Sequence, residues 1–127
     1  MANTRQGQFP VSDTGEDSHI GLAAVGLYPP NGYGLYDMAG NVWQWVSDWY
    51  RADYYGQLAW VGRVVRNPRG PSSSFDPDEP AQPKRVMRGG SYLCHASYCN
   101  RYRTDARSSN TPDSATTNLG FRCARDV

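Results

Sequence analysis

The sequence predicts a loop-rich α+β domain with short strands and little helix. Thirteen glycines and nine prolines recur along the 127 residues, and no long window sustains the helical period of apolar residues. Nine tyrosines, four tryptophans and three phenylalanines supply large buried areas in a chain that is only 39% hydrophobic. We therefore interpret residues 1–127 as a single domain with an aromatic core.

Short strands are predicted where apolar and aromatic residues cluster between turn signals. In chain order these segments are residues 34–36, 42–46, 85–88 and 120–125. One helix is predicted over residues 98–105. Residues 67–83 contain five of the nine prolines, so this segment is predicted to be a surface loop.

The charge balance argues against nucleic-acid and membrane partners. The formal net charge is +1, so the chain carries no strong overall field. Twelve of the thirteen basic residues are arginines, which favours stacked and hydrogen-bonded guanidinium groups over a solvated basic patch. No run approaches the roughly 18 apolar residues of a membrane span, and the first ten residues lack the apolar core of a signal peptide. We expect an untargeted, soluble chain.

Two of the three cysteines, Cys94 and Cys99, lie close together in the polar segment RVMRGGSYLCHASYCNRYR. Soft thiolates select soft ions such as Cu(I), or take part in redox chemistry. A pair at this spacing is also compatible with a structural disulfide or with two small buried side chains. The segment is nevertheless where we expect the chemistry of this protein.

The order QFPVSDTGED, YPPNGYGLYDMAGNVWQWVSDWY, RVMRGGSYLCHASYCNRYR and SSNTPDSATTNLGFRC resembles the formylglycine-generating enzymes, also called sulfatase-modifying factors. The resemblance covers nearly the whole chain and is to the C-terminal, catalytic-cysteine half of the family domain. The cysteine pair is its discriminating part, because non-catalytic relatives generally lack it. The resemblance implies an α+β fold related to C-type lectins, with a small twisted antiparallel sheet and little regular secondary structure.

Members of this family use molecular oxygen to oxidise a cysteine to Cα-formylglycine within a Cys-x-Pro-x-Arg segment of an unfolded sulfatase. By resemblance, Cys94 and Cys99 are copper ligands, and the substrate cysteine completes the Cu(I) site with a third thiolate. Ser91 matches an active-site serine that hydrogen-bonds near the metal. The residues that match the lining of the oxygen and substrate pocket are Trp43, Asn118 and Tyr98.

Several of these residues are also compatible with ordinary structural roles. Ser91 follows two glycines and is compatible with a turn, Asn118 with a turn cap, and Trp43 with the core. His95 lies between the two cysteines, and we interpret it as a surface or core histidine and not as a ligand. Cys123 is expected to be a buried free thiol.

Calcium is the second ion that the sequence suggests. The segments DTGED and DMAGN suit a cation with six to eight oxygen ligands, although they are also typical of ordinary Asp/Gly turns. By resemblance the first set of ligands is Asn3, Thr4, Asp17 and His19, and the second is Asp37, Gly40, Val42 and Gln44. The backbone supplies the oxygens of Thr4, His19, Gly40 and Val42. Gln44 replaces a frequent glutamate, so we expect weaker binding at the second set.

Two functional hypotheses follow from these residues. The first is a copper-dependent oxidase, impaired as an isolated half because the N-terminal half of the family domain is missing. The second is a non-catalytic, lectin-like binding or scaffold module that retains the copper ligands. Thr104 replaces a cysteine of the secreted members, which agrees with a bacterial-type protein of the reducing cytoplasm.

Overall fold

In the computed structural model, which describes residues 2–125, regular secondary structure is confined to five short elements. In chain order they are β1 (Trp43–Trp49), α1 (Tyr54–Trp60), β2 (Arg85–Arg88), β3 (Ser108–Asn110) and β4 (Leu119–Gly120). The remaining described residues form turns, bends and loops, as the glycine and proline content predicts. Within this range, no helix has the length and apolar character needed to cross a bilayer.

The four strands form one sheet in the order β3-β2-β1-β4. Strands β1 and β2 are antiparallel, with Trp45 opposite Met87, and β2 and β3 are also antiparallel. Strand β4 instead lies parallel to β1, with Trp43 opposite Leu119. The predicted small sheet is therefore present, but it is mixed and not wholly antiparallel. Because β3 already pairs with the outer edge of β2, β4 joins the sheet at the open edge of β1. There β4 runs in the same direction as β1.

Two of the predicted strands are confirmed. Strand β1 contains most of the predicted segment 42–46 and continues to Trp49, and β2 matches residues 85–88. The strand predicted at 34–36 is wrong, because the Asn31 side chain accepts hydrogen bonds from the backbone N–H groups of Tyr33 and Leu35 and closes a turn. Of the segment 120–125, only Gly120 belongs to a strand.

The helix predicted at 98–105 is wrong as well. The backbone N–H groups of Tyr98, Cys99 and Asn100 all point to the carbonyl of His95, and Asn100 has a φ of 32°. These bonds close a tight turn and leave no i→i−4 ladder to propagate. The observed helix, α1, was missed because its sequence YYGQLAW lacks a buried apolar stripe; none of its residues is buried.

The aromatic core expected from the composition is wrong. Among the described residues the buried interior is largely polar, Tyr28 is its one aromatic side chain, and side-chain hydrogen bonds hold it together. Asn41 Oδ1 accepts hydrogen bonds from Asn3 Nδ2 at 3.2 Å and from the Ala23 N–H at 3.1 Å, and Asn41 Nδ2 donates to the Ala23 carbonyl. Gly40 has a φ of 75° and packs so closely on the Asn3 backbone that a Cβ atom there would overlap its carbonyl oxygen. These contacts bring the N-terminal segment against the start of β1.

A buried ion pair anchors the loop of residues 67–83. Lys84 Nζ donates to Asp76 at 2.6 Å and also pairs with Glu79, while the Lys84 N–H donates to Ser74 Oγ. The hydrogen bond from Lys84 holds the pKa of Asp76 below its usual value, and the bonds to Asp76 and Glu79 raise the pKa of Lys84. The pair thus fixes the end of the loop beside the start of β2.

Stacked guanidinium groups cover aromatic residues of the sheet and of α1, as the high arginine content predicts. The Arg85 guanidinium lies 3.7 Å from the ring centre of Trp49, and that of Arg107 lies 4.2 Å from the ring of Tyr55. Such contacts pack large planar groups where few aliphatic side chains are available.

Candidate active site

The residues predicted for the catalytic site line one open cavity of about 450 Å³. Its walls come from the start of β1, the segment after β2, β3 and the turn before β4. All six residues proposed for the copper site and its pocket are in this lining, namely Trp43, Ser91, Cys94, Tyr98, Cys99 and Asn118. The fold therefore brings together residues that span 75 positions of sequence, from 43 to 118.

Gly89 and Gly90 let the chain turn from β2 into the wall of this cavity. Gly89 and Gly90 have φ values of 91° and 69°, in the left-handed region that favours glycine. A Cβ on Gly90 would lie 3.0 Å from the Tyr102 backbone nitrogen, so this position also requires a small residue. The chain can consequently leave β2 in a sharp turn and place Ser91 in the interior.

Ser91 is the centre of a buried hydrogen-bond network. Both Ser91 and Cys94 are 1% exposed. Ser91 Oγ accepts hydrogen bonds from Asn118 Nδ2 at 3.0 Å and from the Leu93 N–H at 3.3 Å, and the Cys94 N–H donates to the Ser91 carbonyl. Within residues 2–125 the Ser91 hydroxyl has no acceptor for its own hydrogen, so it can donate to a group bound in the cavity.

Cys94 and Cys99 are joined as a disulfide, with their Cα atoms 4.8 Å apart. The tight turn at His95 places the two sulfurs side by side, with Cys94 buried and Cys99 half-buried. When reduced, the pair would offer two adjacent thiolates to one soft ion, which fits Cu(I). In the described part of the chain, no cluster of three or more His, Cys, Asp or Glu side chains could hold a metal. A bound molecule could supply a third ligand.

The N-terminal segment supports Tyr98 at the rim of the cavity. The Phe9 ring stacks on Tyr98 with ring centres 4.5 Å apart, and the Arg5 guanidinium lies 5.5 Å from the Phe9 ring centre. His95 lies at the edge of the same stack, and its Nδ1 is hydrogen-bonded to Ser97 Oγ at 2.7 Å. His95 is not among the described residues that line the cavity.

Three further lining residues, Leu93, Arg101 and Ser108, were missed by the sequence analysis. Ser108 belongs to β3, a strand without an apolar pattern, and its sequence SSN carries no strand signal. Arg101 Nη1 donates to Ser108 Oγ at 2.9 Å. No feature of the segment NRYR distinguishes Arg101 from Arg103, so only the fold could assign it to the cavity.

The first proposed calcium set surrounds a buried carboxylate. Asp17 is 2% exposed and accepts hydrogen bonds from the N–H groups of Thr4 and His19. Among residues 2–125 it has no basic partner within 4 Å. Burial, followed by the charges of Asp17 and Asp37, raises the pKa of the nearby Tyr28. An uncompensated buried carboxylate is costly, so this set fits a cation.

The second proposed calcium set fits a cation less well. Gln44 Nε2 donates to the Asp37 carbonyl at 2.6 Å, and Gln44 Oε1 accepts from Arg122 Nε at 2.6 Å. The Asp37 carboxylate accepts from the Gly26 N–H, and Arg122 also donates to the Tyr36 and Asp37 carbonyls. An arginine thus supplies positive charge at this set and occupies two of its oxygens.

The expectation that Cys123 is a buried thiol is wrong. It is a free and exposed cysteine. Strand β4 ends at Gly120, so the residues after it run along the surface without ladder partners among the described residues. Cys123 is therefore well placed as an internal control for experiments on the cavity thiols.

A family model described as the sulfatase-modifying factor enzyme 1-like domain matches residues 1–127. The chain belongs to the sulfatase-modifying factor family. Family membership confirms the resemblance seen in the sequence and the loop-rich fold class with a small sheet. The cavity lined by Cys94, Cys99 and Ser91 thus lies within a domain of this family.

Among its relatives, the chain is 54% identical over 125 residues to the formylglycine-generating enzyme of Mus musculus, an alignment that covers 98% of the chain and 30% of that enzyme. It is 52% identical over 124 residues to the formylglycine-generating enzyme of Thermomonospora curvata, with 98% and 38% covered. The chain therefore spans about a third of the length of these relatives.

The family also contains proteins described as inactive. The chain is 41% identical over 125 residues to the inactive Cα-formylglycine-generating enzyme 2 of Mus musculus. This alignment covers 96% of the chain and 32% of the mouse protein. Among solved structures, Treponema denticola variable protein 1 is 33% identical to the chain and superimposes with a TM-score of 0.48. The match covers 84% of the chain and 33% of the Treponema protein.

Proposed function

We propose that this chain is the catalytic-cysteine part of a formylglycine-generating enzyme. Its substrate would be a Cys-x-Pro-x-Arg segment of an unfolded sulfatase, whose cysteine is oxidised to Cα-formylglycine by molecular oxygen. The observation that carries the proposal is the single cavity whose wall holds the adjacent Cys94 and Cys99 sulfurs beside Ser91. The two relatives named formylglycine-generating enzyme support the same assignment.

The reduced Cys94 and Cys99 thiolates are the proposed ligands of Cu(I). Two thiolates hold this ion and leave a position for the substrate cysteine as the third sulfur. When bound, copper would supply the means of activating molecular oxygen. The proposed location is the cytoplasm, where a reducing environment keeps the two thiols free.

The remaining residues position the substrate around the two sulfurs. Asn118 holds Ser91 Oγ from one side, so the Ser91 hydroxyl can donate its hydrogen to the substrate sulfur and orient it. Trp43 and Leu93 are the apolar parts of the cavity wall and would shield one side of the reacting groups from water. Phe9 keeps Tyr98 at the rim through ring stacking.

The first calcium set is proposed as a structural site. The buried Asp17 carboxylate would bind Ca²⁺ together with oxygens of Asn3, Thr4 and His19, and so fix the N-terminal segment that carries Phe9. The second set, Asp37 to Gln44, is proposed to bind more weakly because the Arg122 guanidinium already donates to the Gln44 side-chain oxygen and to the Asp37 carbonyl.

A peptide experiment tests the proposed reaction. The reduced chain, loaded with one equivalent of Cu(I), is incubated in air with a Cys-x-Pro-x-Arg peptide, and the peptide mass is followed. We expect copper-dependent binding with slow conversion, because the chain covers about a third of its relatives and misplacement by about 1 Å can cost on the order of 10²-fold in rate. A matched serine-for-cysteine peptide should bind far more weakly, and equal binding of the two would contradict the proposal.

A non-catalytic, lectin-like binding module is the second candidate. The disulfide between Cys94 and Cys99 and the resemblance to an inactive family member favour it. The same peptide experiment separates the two functions. If the reduced, copper-loaded chain binds no thiol peptide and forms no aldehyde, the binding-module function is the better conclusion.

A further inference from the structure

We infer that Arg101 selects peptide substrates by charge, favouring an acidic residue just before the target cysteine and opposing a basic one there. The inference rests on the proposed function and adds a specificity-determining residue to it. Its starting point is that Arg101 is the one charged side chain among the nine described residues that line the cavity of Cys94 and Cys99.

The Arg101 guanidinium is held in place by the sheet. Its Nη1 donates to Ser108 Oγ at 2.9 Å. Ser108 lies on β3 directly opposite Met87, a buried residue of β2. The hydroxyl that anchors Arg101 is therefore tied to the rigid part of the domain, so the charge keeps a defined position at the cavity wall.

No acidic group among the described residues neutralises the charge of the Arg101 guanidinium. Of the arginines on the same surface segment, Arg103 forms a two-point pair with Asp105 at 2.7 and 3.1 Å, whereas Arg101 has no carboxylate within 4 Å among residues 2–125. The other lining side chains are neutral serine, asparagine, tyrosine, tryptophan and leucine residues beside the two cysteines. Away from the two sulfurs, a ligand in the cavity consequently faces the positive charge of Arg101 with no other charged side chain of the lining beside it.

The guanidinium also has donors to spare. It carries five N–H donors, and its single hydrogen bond to a described residue uses one of them. The remaining donors match a carboxylate, which can accept two parallel bonds from one guanidinium. A backbone carbonyl could accept from them too, but that contact would not depend on the charge of the peptide side chains.

The direction of the bound peptide follows from charge repulsion. The Cys-x-Pro-x-Arg segment carries its own arginine four residues after the cysteine. Like charges at a shared site oppose binding, so that end of the peptide should point away from Arg101. The residues before the cysteine then pass Arg101, which places the preference for an acidic side chain on that side.

The test measures dissociation constants of dye-labelled peptides by fluorescence anisotropy with the reduced chain loaded with one equivalent of Cu(I), under nitrogen so that no peptide is oxidised. Three peptides differ only in Glu, Gln or Lys at the position before the cysteine. With the parent chain we expect the Glu peptide to bind about 3- to 10-fold more tightly than the Lys peptide, and the ratio to shrink as salt screens the exposed charge. Arg101→Gln should remove the ratio, and Arg101→Glu should reverse it.

Two control variants separate a local effect of Arg101 from a general effect of surface charge and from a loss of stability. Arg103→Gln removes a neighbouring surface charge that does not line the cavity, so it should keep the parent ratio. Arg101→Lys retains the charge without the planar guanidinium, so it should keep the direction of the preference even if loss of the Ser108 contact affects stability. An unchanged Glu-to-Lys ratio in Arg101→Gln would overturn the inference, and so would equal losses in Arg101→Gln and Arg103→Gln.

The outcome also distinguishes this inference from the proposed function. Tight binding of all three peptides without charge preference would leave the proposed function standing and reject the role of Arg101. If no thiol peptide binds the parent chain, the proposed function fails and the inference fails with it.

Discussion

The side-chain amide of Asn118 donates to Ser91 Oγ at 3.0 Å, across 27 residues of sequence. Asn118 directly precedes β4, and Ser91 follows β2, so this bond joins the two segments that flank β1. Because Ser91 is almost completely buried, its orientation is set by this contact and by the Leu93 N–H. Ser91 is thus positioned from outside its own segment.

Replacing Ser91 by alanine should destabilise the domain. The change leaves the Asn118 amide and the Leu93 N–H without their acceptor, which costs about 1–3 kcal/mol for buried groups. Urea unfolding of Ser91→Ala measures the loss. Ser97→Ala is the control, because that exposed hydroxyl contacts only His95 and its removal should change the free energy of unfolding by less than about 0.5 kcal/mol. Equal stability of Ser91→Ala and the parent would contradict the network.

The reduced chain should bind about one equivalent of Cu(I), since the two adjacent thiolates outcompete other side chains for this ion. Titration against a chromophoric Cu(I) chelator gives the stoichiometry and affinity. The double variant Cys94→Ser, Cys99→Ser should lose the tight site, whereas Cys123→Ser should keep it because that thiol is exposed and is not part of the cavity lining. Undiminished affinity of the double variant would show that the ligands lie elsewhere.

Calcium should raise the melting temperature of the chain. An ion that binds only the folded state at about 100 times its dissociation constant adds about 2.7 kcal/mol to the stability. Calorimetry in excess chelator and in millimolar calcium measures the shift. Asp17→Asn should abolish it, and Asp37→Asn should retain most of it because Arg122 already supplies charge at the second set. Superimposable melting curves of the parent with and without calcium would rule out both sites.

The stability contributed by Asp76 should depend on pH. Its hydrogen bond from Lys84 lowers the pKa of Asp76 in the folded state, so this contribution is present above the ordinary carboxyl pKa of about 3.9 and is lost as the pH falls through the folded value. Asp76→Asn should therefore destabilise the domain clearly at pH 7 and much less near pH 3, as measured by urea unfolding.

The exposed pair of Arg103 and Asp105 provides the control for this pH effect. Asp105→Asn should have little effect at either pH, because an exposed ion pair contributes little to stability. A loss in Asp76→Asn that is the same at pH 7 and pH 3 would mean that the buried charge is not the source of the stabilisation.

Replacing Gly40 by alanine should disrupt the contact between the N-terminal segment and β1. The backbone φ of 75° disfavours a side chain, and the added Cβ would overlap the Asn3 carbonyl. We expect a loss of more than about 2 kcal/mol in the free energy of unfolding, since strain and steric overlap act together. Gly32→Ala is the matched control, because a Cβ there meets no atom within 4 Å.

Several features of the fold could be read from local sequence. Strand β2 and most of β1 follow from their apolar and β-branched residues, and the loop-rich class follows from the recurring glycines and prolines. The helix at 98–105 and the strand at 34–36 failed because side-chain and backbone hydrogen bonds close turns there, and such bonds override weak local propensity.

The candidate site divides in the same way. The soft-ion chemistry of Cys94 and Cys99 is a property of residue type and spacing, so the sequence by itself determined this pair as candidates. Ser91, Trp43, Tyr98 and Asn118 became candidates through the resemblance of their sequence segments to the family. Arg101 and Ser108 carry no local signal, and only the pairing of β3 with β2 brings them to the cavity. Hydrogen bonds between distant segments and the neutralisation of a charge depend on where the chain returns in space. For this reason the tertiary structure alone decided that Ser91 is buried and that Arg122 lies beside Gln44 of the second proposed calcium set. It alone also decided that Arg101 is the one charged side chain among the described residues of the cavity lining.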